Sequence, residues 1–136
     1  PLAVLARTRS DTAEGWGYLL RFSDPDGNEK TWAAPMAMFS GEGAEWAARL
    51  RDMGLRMASG PGARNLVGQY VETRQLTERV TCTDRVGWHG GGVYVLPSGC
   101  IGQAEGRRFV FQSEAGMEDT FRRAGELAQW RDEVAA

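Results

Sequence analysis

The chain has 136 residues, 42% of them hydrophobic and 25% charged, with a formal net charge of −2. That length and apolar share suit one domain with its own core and exclude a disordered tail. The near-neutral balance excludes a generally basic nucleic-acid binder but leaves room for a local basic stripe.

Residues 2–9, "LAVLARTR", mix branched side chains with arginines and predict a strand. In "WGYLLRF", Trp16, Tyr18, Leu20 and Phe22 all fall at even positions, the period of a half-buried strand. "SDPDGN" then predicts a turn, with φ preset at Pro25 and positive φ available at Gly27. "EKTWAAPM" is the expected returning strand.

The middle predicts helices. Trp46, Leu50 and Met53 recur at helical spacing, and Gly54 is placed to stop that helix. "LRMA" is short enough to be a strand. A second helix is expected in "SGPGARNLVGQYVETR", with Ser59 or Gly60 as cap, Pro61 in its first turn and Leu66, Val67, Tyr70 and Val71 on one face.

Strands return in the last third. "RVTCTDRVGW" reads as one strand, with Val80, Cys82, Val86 and Trp88 on an apolar face that Asp84 interrupts. "GVYVLP", "GCIG" and "RRFVFQ" follow as short strands joined by tight turns. "GELAQWRDEVAA" closes as a helix capped near Gly125 and docked through Leu127, Trp130 and Val134. The expected order is βββ-α-β-α-βββ(β)-α, an α+β fold with a mostly antiparallel sheet in one domain over residues 1–136.

Chemistry-bearing motifs are few. Lys30 is the sole lysine, stands on an expected strand after Glu29, and cannot complete a Walker-type loop. The glycines of "GWHGGGVYV" precede a strand, whereas a dinucleotide fingerprint leads into a helix. One histidine and two cysteines eighteen residues apart offer no paired metal-ligand spacing, so no metal is expected. Cys82 and Cys100 are expected as buried free thiols; a Cys100–His89 nucleophile pair would require the hairpin to join them. Asp84 reads as a bulge or strand-end carboxylate, or as an acid beside Trp88 and His89. His89, next to the turn, is expected to be exposed.

Fifteen of the sixteen cationic residues are arginine, a bias that GC-rich coding explains and that also suits phosphate forks and base stacking. Arg7 and Arg9, Arg107 and Arg108, and Arg122 and Arg123, with Trp88 and His89, are the candidate nucleic-acid-binding residues; the competing reading is solvated strand edges. Of Arg107 and Arg108, only one can join a given stripe, because neighbours on a strand face opposite sides.

"DRVGWHGGGVYVLPSGCIG", "RRFVFQ" and "GELAQWRDEVA" resemble the family numbered 927 among domains of unknown function. "VLARTR", "WGYLLRFSDPDGNEKTWAAPM" and "LRDMGLRMASGPGARNLVGQYV" extend the likeness over nearly the whole chain. The most specific part is Gly87-Trp88-His89-Gly90 with the following "VLP". The resemblance implies the N-terminal, non-ATPase part of a helicase-like protein of bacteria, phages and mobile elements ("superfamily II helicase and inactivated derivatives"). It carries no catalytic residue and no cofactor into these residues; ATP and Mg are expected only in a downstream ATPase region.

The resulting expectation is a non-catalytic fragment of a longer DNA-replication protein that handles single-stranded DNA. The alternative is a protein-interaction or oligomerisation collar without nucleic-acid binding, for which the acidic "SEAGMED" and five tryptophans speak. Expected partners are single-stranded DNA, the downstream ATPase domain of the same chain and a second copy, with no membrane. No apolar run is long enough to span a bilayer or to lead secretion, and reduced thiols fit a cytoplasmic location.

Overall fold

The even-position alternation of residues 16–22 does build a strand, but its partners curl. The computed structural model describes residues 1–41, 44–89, 91–97, 99–102, 107–112, 128–129 and 131. Strands β1 (Ala3–Arg9), β2 (Gly17–Ser23) and β3 (Glu29–Pro35) form an antiparallel meander. Its second turn is set as expected. Gly27 takes φ 85°, and Asp24 Oδ1 accepts the backbone N–H groups of Asp26 and Asn28 at 3.0 and 2.8 Å. Those bonds, the Asn28 N–H foremost, hold the Asp24 carboxyl below its ordinary range.

A 3-10 turn at Met36–Ser40 leads to α1 (Ala44–Asp52) and then α2 (Pro61–Glu72). Gly54 ends the first helix at φ 98°, while the Leu55 N–H returns to the Leu50 carbonyl at 2.8 Å. Pro61 opens the second behind Gly60. Trp46, Leu50 and Val71 pack from the helices onto Tyr18, Leu20, Phe22, Trp32 and Ala34, one face of the meander. Burying side chains of this size contributes about 1.5–3 kcal/mol each. Two expectations fail here. "LRMA" is irregular, so the helices follow one another directly, and Leu66 points outward, 70% exposed. Helical spacing alone could not tell which three-residue arc of α2 meets the sheet.

β4 (Arg79–Thr83) then joins β1 in parallel, and β8 (Arg108–Phe111) joins β4 in parallel. The main sheet runs β3-β2-β1-β4-β8. It is mixed, although four of the six pairings in the molecule, counting the smaller sheet, are antiparallel. The inner-face cluster of Ala6, Leu19, Ala33 and Val80, with Leu5, Cys82 and Val110 against it, draws residues from all five strands and from nothing else.

A five-stranded sheet laid flat would separate its edge strands by about 19 Å, four spacings of about 4.8 Å. Yet the side chain of Gln112, the residue after β8, reaches β3. Its Oε1 accepts the Ala33 N–H at 2.7 Å, and its Nε2 donates to the Ala33 carbonyl at 3.0 Å. The sheet is therefore rolled into a small barrel, closed by one carboxamide that mimics a strand. The small inner residues fit that tight curvature. At Gly17 an added Cβ would meet the Ala34 carbonyl oxygen and Thr8 Oγ1.

Between the parallel strands β4 and β8 lies a second, three-stranded sheet: β5 (Gly87–His89), β6 (Val93–Leu96) and β7 (Gly99–Gly102). Its Val93 and Val95 pack on Phe111, with Phe109 alongside. The single strand expected over residues 79–88 is thus two, in different sheets, broken at Asp84–Val86. Asp84 is exposed rather than set in an apolar face, and Thr83, not Val86, is the buried residue there. The expected C-terminal helix falls almost wholly outside the described residues; Ala128, Gln129 and Arg131 are helical.

Candidate nucleic-acid interface

Register decides which arginines meet. Arg7 pairs with Arg79, Thr8 with Val80 and Arg9 with Thr81; Val80 then pairs with Arg108 and Thr81 with Phe109. Because neighbours alternate, Arg7, Arg9, Arg79 and Thr81 share the outer face of the barrel, and Val80 and Arg108 take the other. One residue before Arg108, Arg107 falls beside Arg79 on that same outer face. Arg7 and Arg79 thus pair across β1 and β4, and carrying the β4–β8 register back one step extends the row to Arg107, just before β8.

The row occupies a strip between two covers. On one side the helices lie over Tyr18, Leu20 and Phe22; on the other the small sheet lies over Phe109 and Phe111. Trp16 stands in the strip, 36% exposed, with the Arg9 guanidinium 5.6 Å and the Arg79 guanidinium 5.9 Å from its ring centre. Arg79 is steadied by Nη1 bonds to the Leu76 and Glu78 carbonyls at 3.1 and 3.3 Å. Arg7 is half-buried, and its Nε is out of water with no hydrogen-bond partner among the described residues. Like charges set opposite one another on neighbouring strands repel, and among the described residues no carboxylate forms an ion pair with Arg7, Arg9, Arg79 or Arg107.

The margins of the strip carry acids. At the helix side, burial and the Glu72 carboxylate raise the Tyr18 hydroxyl above its ordinary value, against the lowering effect of Arg7. At the small-sheet side stands the sole histidine. His89 has only 10% of its side chain exposed, a correction to the exposed position expected for it. Its Nε2 donates to the Arg85 carbonyl at 2.9 Å, its Nδ1 lies 3.6 Å from Asp11 Oδ2, and its ring packs on Phe109 at 5.5 Å. Its ring thus packs β5 against β8, with Asp11 of the β1–β2 loop nearby.

Trp88 faces the other way, outward from the small sheet and 72% exposed. Cross-strand pairing lines it up with Tyr94 and Ile101, and its ring meets Tyr94 edge-on at 5.3 Å. It is no core residue, and it lies on a different face from the arginine row. Arg108 is also apart, beside Glu78 at 4.0 Å. Arg122 and Arg123 lie outside the described residues.

The cysteines are less buried than expected: Cys82 is half-buried and Cys100 exposed. Cys100 Sγ donates to the Phe109 carbonyl at 3.3 Å, and burial raises both thiols above their ordinary value, which disfavours thiolate. His89 and Cys100 are each engaged elsewhere, so the geometry lends the nucleophile pair no support. Among the described residues no group of three His, Cys, Asp or Glu side chains could hold a metal, and no helix is long and apolar enough to cross a membrane.

Sequence reasoning missed Trp16 and Arg79. The alternation groups Trp16 with Tyr18, Leu20 and Phe22 on one face of a half-buried strand, but it lies just before β2, after Gly15 at φ 59°, and is more exposed than they are. Arg79 carried no local signal, because its partner Arg7 is brought to it by a parallel pairing.

The family model described as "Domain of unknown function (DUF927)" matches residues 1–136. The chain belongs to this family. No curated protein matches the chain at a significant level. The DUF927 assignment covers both sheets and both helices, so the barrel, the arginine row and the small sheet all lie within the family region.

Proposed function

We propose that this DUF927 domain is a non-catalytic module that handles single-stranded nucleic acid, most simply DNA, for a helicase-like ATPase encoded farther along the same polypeptide. The observation that carries the reading is the row Arg7–Arg79–Arg107 with Arg9 and Trp16 in one exposed strip. Such a surface couples phosphate-binding guanidiniums to an aromatic plane on which a base of any identity can stack. Arg7 Nε, which has no hydrogen-bond partner among the described residues, is a donor that a phosphate oxygen can meet. In this reading ATP and Mg belong to the ATPase region, the protein works in the cytoplasm of a bacterial host, and the domain itself turns nothing over.

The test is fluorescence anisotropy of a labelled single-stranded oligonucleotide across a salt series. Four phosphate contacts predict a slope of log K on log salt near −3, from about −0.7 per contact on single strands. Arg9→Ala with Arg79→Ala should halve that slope, and Trp16→Ala should weaken binding at every salt concentration. A shallow slope that the arginine changes leave unmoved would overturn the reading.

One observation favours a second reading. In the Trp88–Tyr94–Ile101 row, Trp88 and Ile101 are exposed on either side of a half-buried Tyr94, apart from the arginine row, as the anchor of a protein contact or of self-association would be. Light scattering of the wild type against Trp88→Ser tests it: a concentration-dependent dimer lost in the variant supports a collar role.

A further inference from the structure

A second charged feature lies along α2, beside the Phe39 ring that meets Tyr18 edge-on at 5.6 Å, and contains none of the strip's arginines. A cleft of about 140 Å³ is lined by Arg64, Asn65, Gly68, Gln69 and Glu72 from α2, facing Phe39, Gly41 and Trp46. The Phe39 and Trp46 rings are stacked, with centres 5.2 Å apart, and form the apolar wall. At Gly68 the helix runs against the Trp46 ring, where an added Cβ would make an ordinary contact at 3.7 Å. Arg64 Nε is buried and, among the described residues, has no hydrogen-bond partner. A desolvated guanidinium donor left unmade is costly, and such groups in native structures are normally met by water or a bound ligand.

We infer that this cleft binds a small organic carboxylate, with Arg64 taking the carboxylate and the Phe39–Trp46 wall taking the hydrocarbon part. The choice of carboxylate rests on three properties of the lining. The guanidinium fork matches a two-oxygen acceptor. Glu72 lines the same cleft and repels a doubly charged phosphate more than a single charge. The volume is close to that of a cavity that accommodates benzene, roughly 150 Å³, so a short carbon stem fits behind the charge. The Asn65 and Gln69 carboxamides supply further hydrogen bonds at the polar side.

Amide NMR of the intact domain, titrated with propionate at constant ionic strength, tests this. Propionamide and inorganic phosphate serve as comparison ligands. A ligand of this size in an open cleft should saturate on the order of millimolar, with shifts centred on Arg64, Gly68, Gln69 and the Trp46 indole N–H. Arg64→Gln, whose spectrum must remain that of a folded protein, should weaken propionate at least about tenfold. Glu72→Gln should strengthen phosphate more than propionate. Equal shifts from propionamide, tighter binding of phosphate by the wild type, or no change in Arg64→Gln would each overturn the assignment. Neither outcome bears on oligonucleotide binding, which Arg64→Gln should leave unchanged.

Discussion

Closure of the barrel by one side chain makes Gln112 the most informative single position for stability. Gln112→Ala removes both bonds to Ala33, at 2.7 and 3.0 Å. Each such bond contributes about 0.5–1.5 kcal/mol net, and more where the backbone partner is left without water. Ala33 is buried, 6% exposed, so a loss of about 2–3 kcal/mol is expected. For a domain of this size that lowers Tm by about 6–12 °C. Gln112→Glu sharpens the test. Its carboxylate still accepts from the Ala33 N–H, but above its folded-state pKa it sets a negative oxygen against the Ala33 carbonyl. That clash raises the folded pKa above the unfolded value, so the variant should be weakest at neutral pH and recover as the pH falls through the folded pKa, where a protonated carboxyl can donate. Thermal melts followed by circular dichroism between pH 4 and 8 measure both. A Tm shift under about 2 °C in Gln112→Ala, or no pH-dependent recovery in Gln112→Glu, would show that the clasp does not hold the edges together.

Four other outcomes are expected. Gly17→Ala forces a Cβ onto the Ala34 carbonyl oxygen and Thr8 Oγ1, with Gly17 itself buried, and should destabilise by about 1–3 kcal/mol in urea unfolding. Ala13→Gly relieves a non-glycine residue at φ 61° in the β1–β2 loop and should raise stability by about 0.5–1 kcal/mol. Thiol titration with a disulfide reagent at pH 8 should show both cysteines reacting more slowly than a free peptide thiol, since burial raises both pKa values. His89→Ala removes the Nε2 bond to the Arg85 carbonyl and the packing on Phe109; it should cost about 1–2 kcal/mol and speed amide exchange in residues 85–89.

How much of this was legible in the sequence follows the distance over which each feature is specified. The meander, its Asp24–Gly27 turn and both helices are local: alternation, a Pro-Asp-Gly turn, Trp46 and Leu50 one turn apart, and Gly54 as a stop all lie within a few residues of what they build. The α+β class follows from them. The parallel joins β1–β4 and β4–β8 are not local, and no residue of "RVTCT" says which strand it will lie beside. The Asp84–Val86 break had a signal, an acid interrupting an apolar alternation, but that signal does not distinguish a bulge from a change of sheet. Gln112 looked like an ordinary polar residue at a strand end because its partner is 79 positions away.

The candidate site divides along the same line. Arg7 and Arg9 were visible as cations on a strand, and Arg107 as one of a pair of which alternation allowed a single member to join them. Trp16 and Arg79 became visible only when the parallel pairing set Arg79 beside Arg7. The consequence reaches function. In a DUF927 domain, a stripe built across parallel strands draws each residue from a different part of the chain, so no short motif contains it. On the proposed reading, replacing Arg7, Arg79 or Arg107 singly should weaken a bound strand by similar amounts, because each would supply one phosphate contact in one continuous row. If Arg107→Ala alone abolished binding while Arg79→Ala left it intact, the row would not be the binding surface, and the register argument for the site would fall with it.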